Sequence, residues 1–274
     1  MRLRKARLVA ITRLLRAVSS NFPGRWRLEH FAVSEIRTIG PSLDPVIVTT
    51  RDGFRIWADP GEWVGQYIYA TERYEEDTVA LMTRLLKPGD CFVDVGANIG
   101  YLTLVGASLV GPTGSVIAFE PLSRARTSLV RNVALNKAVQ VAVHGDAVCD
   151  RTGTVVFNIG PDHHTSTSSL LPTTESQGQT VVPCTRLDDV LRETDRVRLL
   201  KIDVEGAEHL VLEGAGRTLD LHAPDIIIEL NGPAAADALL RRGYTGFRLD
   251  GAELGEVTGQ VNALFTRNPA ALPR

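Results

Sequence analysis

Three acidic strings in this chain carry residue types and spacings that could do chemistry. In Cys91-Phe92-Val93-Asp94-Val95-Gly96-Ala97-Asn98-Ile99-Gly100, a short apolar run brings Asp94 to a glycine-rich turn that leads into a helix. A second apolar run, Ser115-Val116-Ile117-Ala118-Phe119, ends in Glu120, and a carboxylate at that point of a doubly wound sheet faces a ribose diol. The pair therefore reads as a nucleoside-binding corner. The turn lacks the G-x-G-x-x-G pattern that lets a backbone approach a dinucleotide pyrophosphate, so the expected ligand is a nucleoside without phosphates. The third string, Leu200-Lys201-Ile202-Asp203-Val204-Glu205-Gly206-Ala207-Glu208, delivers Lys201, Asp203, Glu205 and Glu208 to the carboxyl edge of a sheet, more charge than packing needs.

The elements that must position these residues follow from hydrophobic period. Strand patterns at 91–95, 115–120, 139–143, 199–204 and 225–230 alternate with helical stretches, which predicts an α/β fold with a parallel sheet. Shorter runs at 246–249 and 261–266 follow a helix at 234–242. Upstream, runs at 46–50 and 54–57 flank Arg51-Asp52-Gly53 and read as a hairpin. Apolar spacing at Val79, Met82, Leu85 and Leu86 predicts a helix over 75–86, stopped by Lys87-Pro88-Gly89-Asp90. Strands at 154–159 and 180–184 flank the polar stretch 162–169, either a substrate loop or a solvated hairpin tip. The expected organisation is an N-terminal extension, residues 1–74, and one ligand-binding domain, residues 75–274.

The formal net charge of −2 argues against a surface built for polyphosphate, so nucleic acid is not an expected partner. Cys91, Cys149 and Cys184 are far apart and sit in or beside apolar runs, which suits buried thiols in a reducing, cytoplasmic setting. Residues 2–27 are basic, with Arg2, Arg4, Lys5, Arg7, Arg13, Arg16, Arg25 and Arg27 and no acid before Glu29. Their apolar runs are too short to span a membrane. The segment reads either as a helix packed on the domain or as an amphipathic helix lying peripherally on the inner membrane face.

Asp94-Val-Gly-Ala-Asn-Ile-Gly100 with Tyr101, then Phe119-Glu120-Pro121, then Leu200 to Glu208, resemble in this order the FkbM-type S-adenosylmethionine-dependent methyltransferases of the class I fold. The resemblance covers roughly residues 75–230. It implies a seven-stranded, mostly parallel Rossmann-like sheet, with helices on both faces and an antiparallel finish. It also implies S-adenosylmethionine as cofactor and Asp94, Gly96, Asn98, Gly100, Glu120, Asp146 and Asp203 as the residues around it. In that frame Asp94 orders the glycine turn, while Asn98 caps the following helix and free N–H groups meet the cofactor carboxylate. Glu120 takes the ribose hydroxyls, Asp146 faces the adenine amino group, and Leu122 covers a face of the ring. His144 reads as structural. The segment before the 75–86 helix forms a lid in the resembled family, which makes Tyr67, Tyr69, Arg73 and Tyr74 pocket candidates.

Methyl transfer to oxygen requires in-line alignment and a proton acceptor. Asp203 is placed on the cofactor's methionine and the floor of the active site. Glu205 is the first choice of base or hydroxyl-orienting group and His209 the second, while Glu208 suits a helix N-terminus. Glu229 ends the fifth strand on the same edge. Some sugar and catechol methyltransferases bind acceptor oxygens through a divalent metal held on such acids, and Asp203, Glu205 and Glu229 could hold one here, but no diagnostic ligand spacing is present and no metal is predicted. No Asn/Asp-Pro-Pro-Tyr/Phe string, the mark of similar enzymes acting on base amino groups, follows the fourth strand. The expected activity is O-methylation of a small-molecule hydroxyl on a sugar, glycolipid or polyketide-type product. The alternatives are a non-catalytic adenosyl-ligand-binding or membrane-surface module and an NAD-linked oxidoreductase.

Overall fold

The computed structural model describes residues 25–160, 168–171 and 177–271. Most of the basic N-terminal segment and residues 162–167 of the polar stretch lie outside the described residues. Two compact units emerge, one within residues 25–75 and the other over 76–160, 168–171 and 177–271.

In the first unit, α1 (Arg25–Ile39) buries Ala32, Val33, Ile36 and Ile39, a stripe at three- and four-residue spacing that marks one helix face. That face packs with Ala70, Tyr67 and Tyr69 of α2 (Trp63–Thr71). Strands β1 (Val46–Thr49) and β2 (Arg55–Ala58) form the expected antiparallel hairpin, with Thr49 opposite Arg55. The Arg37 guanidinium lies 4.4 Å from the centre of the Trp63 ring.

The second unit begins with α3 (Glu76–Leu85), whose Thr78, Leu81, Met82 and Leu85 are buried. Strands β3 (Cys91–Val95), β4 (Ser115–Phe119), β5 (Val141–His144), β9 (Val197–Ile202), β10 (Asp225–Leu230), β11 (Thr245–Arg248) and β12 (Val261–Thr266) form one sheet in the order β11-β12-β10-β9-β3-β4-β5. Neighbours are parallel from β10 to β5, and β12 runs antiparallel to both β10 and β11. This is the seven-stranded class I arrangement that the resemblance implies. Helices α4 (Tyr101–Val110) and α5 (Ser123–Leu135) follow β3 and β4, and α6 (Leu187–Val190) precedes β9. Helices α7 (Glu208–Glu213) and α8 (Gly216–His222) follow β9, and α9 (Pro233–Arg241) follows β10. Strand residues Val93, Val95, Leu200, Ile202, Ile226 and Ile228 are core, as expected for a parallel sheet covered on both faces.

Most strand boundaries differ from expectation by one or two residues, and two of the shifts have a clear cause. The third parallel strand starts at Val141, because Val139 is 89% exposed. The fourth stops at Ile202, because the chain turns away at Glu205 and Gly206, both at positive φ. The insertion forms its own sheet, with β8 (Gly178–Thr185) between β6 (Ala147–Val148) and β7 (Gly153–Ile159). All three cysteines are buried free thiols. No helix among the described residues is long and apolar enough to cross a membrane.

Candidate active site

Parallel pairing of β3 with β9 sets Asp94 directly opposite Lys201. Asp94 is completely buried. One carboxylate oxygen accepts a 2.6 Å hydrogen bond from the Thr103 hydroxyl on α4, and the other lies 3.6 Å from the Lys201 ammonium. Lys201, only 5% exposed, also donates to the Gly96 carbonyl at 3.0 Å and pairs with Asp203 at 3.2 Å. Burying such charges is tolerable because they are paired and hydrogen-bonded. Asp94 therefore acts on the turn through Thr103 and Lys201 side chains.

Glycine is obligatory at position 96. Its φ is +80°, and a Cβ there would stand 1.8 Å from the Asp203 carbonyl oxygen, so the turn and the acid edge pack backbone to backbone. The N–H groups of the turn are already engaged. Gly96 and Ala97 both donate to the Phe119 carbonyl at 3.0 Å, Ile99 donates to the Asn98 side chain at 2.7 Å, and Gly100 donates to Ala97. The free N–H groups expected at the helix entry are therefore not those of residues 96–100. Nor does Asn98 cap the helix: Gly100 stands at the cap of α4 without a side-chain bond. Asn98 sits at φ +49°, a left-handed conformation that asparagine tolerates, and its side chain serves the turn locally.

Glu120 is buried at the end of β4. One of its oxygens accepts the Asn98 N–H and the other the Leu122 N–H, each at 2.8 Å. Burial pushes its carboxyl up to about 7, against the pull of those two donors and of Lys201. A carboxylate has about four lone-pair positions, so each oxygen keeps capacity for one hydroxyl of a diol. The residues present fit an adenosyl ribose. Arg126 of α5 donates to the Glu120 and Pro121 carbonyls at 2.9 and 2.7 Å, and buried Asn132 donates to the Ile99 carbonyl at 2.8 Å. The His144 ring stacks on Phe119 at 4.9 Å. Asp146 lies half-buried between β5 and β6.

The acid edge is built on turns. Asp203 still donates its N–H to the Val95 carbonyl at 3.0 Å, after which Glu205 takes φ +54° and Gly206 φ +100°. Positive φ on a glutamate is strained, and the insertion holds it: the buried Ser169 hydroxyl donates to the Glu205 carbonyl at 2.6 Å and accepts the Leu171 N–H at 3.1 Å. Glu208 opens α7 and uses one oxygen to take the Gly206 N–H at 2.6 Å and the Asn231 amide at 3.1 Å. Its role is to tie the turn to the end of β10. Glu229 accepts from Gln260.

Carboxylate oxygens of Asp203, Glu205 and Glu229 come within 4.8 Å of one another. One divalent ion could span them, but clustered acids alone do not make a metal site. Burial first, and then the charges of Asp203, Glu229 and Glu208, push Glu205 up to about 8. His209, half-buried on α7, is not part of this group. Tyr67 and Tyr69 lie on α2 in the first unit, where the Tyr67 ring meets Tyr74 edge-on at 6.5 Å.

Sequence reasoning missed Thr103, Arg126 and Asn132, and it reads Ser169 only as the end of the polar stretch 162–169, without its tie to Glu205. A polar residue on an otherwise apolar helix marks Thr103, whereas nothing local marks Ser169.

The family model described as "Methyltransferase FkbM domain" matches residues 94–253, more than half of the chain, and takes in the three acidic strings from Asp94 onward. The AMB antimetabolite synthetase AmbE of Pseudomonas aeruginosa is 28% identical over 231 residues, covering 67% of this chain and 10% of the synthetase. The 31-O-demethyl-FK506 methyltransferase FkbM of Streptomyces tacrolimicus is 33% identical over 160 residues, covering 47% of this chain and 60% of that enzyme. This chain thus spans less than two thirds of either relative. The crystal structure of a methyltransferase FkbM from Methylobacillus flagellatus aligns with a TM-score of 0.43 at 16% identity, over 89% of this chain and 60% of the other. By the family match, on a sheet of the expected order, the chain belongs to the FkbM family of methyltransferases.

Proposed function

We infer that the chain is an S-adenosylmethionine-dependent O-methyltransferase acting on a small-molecule hydroxyl of a sugar, glycolipid or polyketide-type product. The observation that carries this reading is the pairing of two carboxyl groups on one sheet. Glu120 beside the glycine turn suits a ribose diol, and Glu205 beyond β9 is a carboxyl held near neutral range among other acids. S-adenosylmethionine supplies a methyl group on a sulfonium, which a hydroxyl oxygen takes in line as the carbon–sulfur bond breaks.

The protein's own tasks are alignment and proton removal. Glu120 anchors the nucleoside end, Asp94 and Lys201 fix the turn, and Asp203 forms the floor of the methionine end. Glu205 accepts the hydroxyl proton. Its raised pKa makes it a competent base near neutral pH, since proton transfer is most efficient when the acceptor's pKa lies near the working pH. A cationic group bound beside it lowers that pKa and readies the carboxylate. The polyketide-type acceptor follows the Streptomyces relative, whose name states an FK506 substrate.

Calorimetric titration of S-adenosylmethionine, S-adenosylhomocysteine and NAD into wild type and Glu120→Ala tests the reading. The expected result is binding of both adenosyl ligands, no heat with NAD, and at least about tenfold weaker binding in the variant, since a hydrogen bond to a charged group contributes about 1.5–3 kcal/mol. Folded wild type that binds neither adenosyl ligand overturns it.

A further inference from the structure

Lys201 has no assigned role in the chemistry, yet it is the most connected charge of the site. A lysine at the end of a buried strand is costly unless its charge is used. Its ammonium lies 3.6 Å from Asp94, 3.2 Å from Asp203 and 3.0 Å from the Gly96 carbonyl. Asp94 spends one oxygen on Thr103, and its other oxygen has no hydrogen-bond donor among the described residues, with Lys201 as its counter-charge. Asp203 is the more open of the two acids, with a side chain 27% exposed. One cation thus stands between a sealed acid and an acid at the mouth of the site. Without it, Asp203 would face the methionine end of the cofactor with no cation beside it and the buried charge of Asp94 behind it.

We propose that Lys201 is a positioning residue that limits the negative charge presented to the sulfonium, so that the site does not hold the methyl donor too tightly in its ground state. The inference rests on the S-adenosylmethionine reading and on Asp203 lying at the methionine end. Its physical basis is that the sulfonium charge is lost as the methyl leaves. Excess negative charge at that point stabilises the bound donor more than the transition state, and so raises the barrier. Lys201 lowers this surplus while its bond to Gly96 keeps the glycine turn in register with Asp203. A purely structural lysine would influence S-adenosylmethionine and S-adenosylhomocysteine equally, because the two ligands differ at the sulfonium and its methyl group.

The discriminating quantity is the ratio of the two dissociation constants, measured by calorimetry at fixed pH and ionic strength. Lys201→Met should raise the preference for S-adenosylmethionine over S-adenosylhomocysteine at least fivefold, and Lys201→Arg should keep it within twofold of wild type. Loss of the lysine also strips Asp94 of its counter-charge and can unfold the protein. The double variant Asp94→Asn/Lys201→Met removes both buried charges, keeps an acceptor for Thr103, and leaves Asp203 without its cation. It should show a smaller rise in the same direction, because the Asp94 charge leaves together with the lysine that pairs Asp203 at 3.2 Å. An unchanged or smaller ratio in either folded variant overturns the proposal, even with both ligands bound by wild type. Absence of adenosyl binding to wild type overturns the cofactor reading itself, and this inference with it.

Discussion

Glu120 and Glu205 are both carboxyl groups raised toward neutrality, but they reach that state by different routes. Glu120 follows directly on a strand, is sealed in the interior, and takes a backbone N–H on each oxygen; desolvation raises it. Glu205 sits on a left-handed turn, more open, and neighbouring acids add to the effect of its burial. The first is proposed as a binder, and its position comes from β-sheet register. The second is poised by a crowd of like charges, and its position depends on contacts from a distant part of the chain. Register is rigid and short-range, whereas a strained turn needs external support.

The strongest way to break the site as a whole is at the seam between the two regions. Gly96→Ala would force a methyl group onto the Asp203 carbonyl, 1.8 Å away, at φ +80°. The expected loss is about 3 kcal/mol or more of stability, a fall in Tm of roughly 6–12 °C, together with loss of adenosyl binding. Gly206→Ala is the matched control. Its φ is +100°, but the nearest side-chain atom is Leu171 Cδ1 at 3.6 Å, so only backbone strain of about 1–2 kcal/mol is expected. Thermal unfolding of the two variants side by side checks the contrast. Equal losses would mean that backbone contact does not join turn and acid edge.

Protonation separates the regions next. The ribose diol needs the ionised form of Glu120, so binding lowers a carboxyl pKa that stands at about 7 in the free protein. Adenosyl affinity should therefore be fully present above about pH 7. It should fall as pH drops below that value, by up to about tenfold per pH unit, with a proton released on binding. Glu120→Gln should bind more weakly at pH 8 and lose the slope. Titrations in buffers of different ionisation enthalpy measure the proton directly. A slope that survives in Glu120→Gln would assign it elsewhere.

This division also explains what could be read from the sequence. Asp94, Gly96 and Glu120 stand out because a strand pattern, a glycine and an acid are adjacent along the chain, and the sheet then places them without further help. The edge strands, expected at 246–249 and 261–266 and found at 245–248 and 261–266, are legible because each is a short local run. Asn98 is no cap because α4 starts at Tyr101 with Gly100 in the cap position, which adjacency along the chain does not reveal. The apolar Val204 carries the predicted fourth strand past its end at Ile202, whereas Glu205 and Gly206 turn the backbone. Ser169 was invisible as a partner of Glu205: hydroxyl and carbonyl are thirty-six positions apart, and no periodicity links an insertion to a turn.

The smallest expected effect is the one most specific to the acid edge. Ser169→Ala removes the hydroxyl that bonds the Glu205 carbonyl and accepts the Leu171 N–H. Loss of a buried hydrogen bond of this kind is worth about 1 kcal/mol, because the abandoned groups regain solvent only when the turn opens. Native-state hydrogen exchange should therefore show amides of residues 204–207 exchanging about fivefold faster. Amides of residues 96–99 should keep their wild-type rates, because the glycine turn is held by Phe119, Glu120 and Lys201 and has no bond to the insertion among the described residues. Ser169→Thr, which keeps the hydroxyl, should restore slow exchange. A uniform acceleration across both turns would show that they open as one cooperative unit, and the distinction between a register-held half and a strap-held half would collapse.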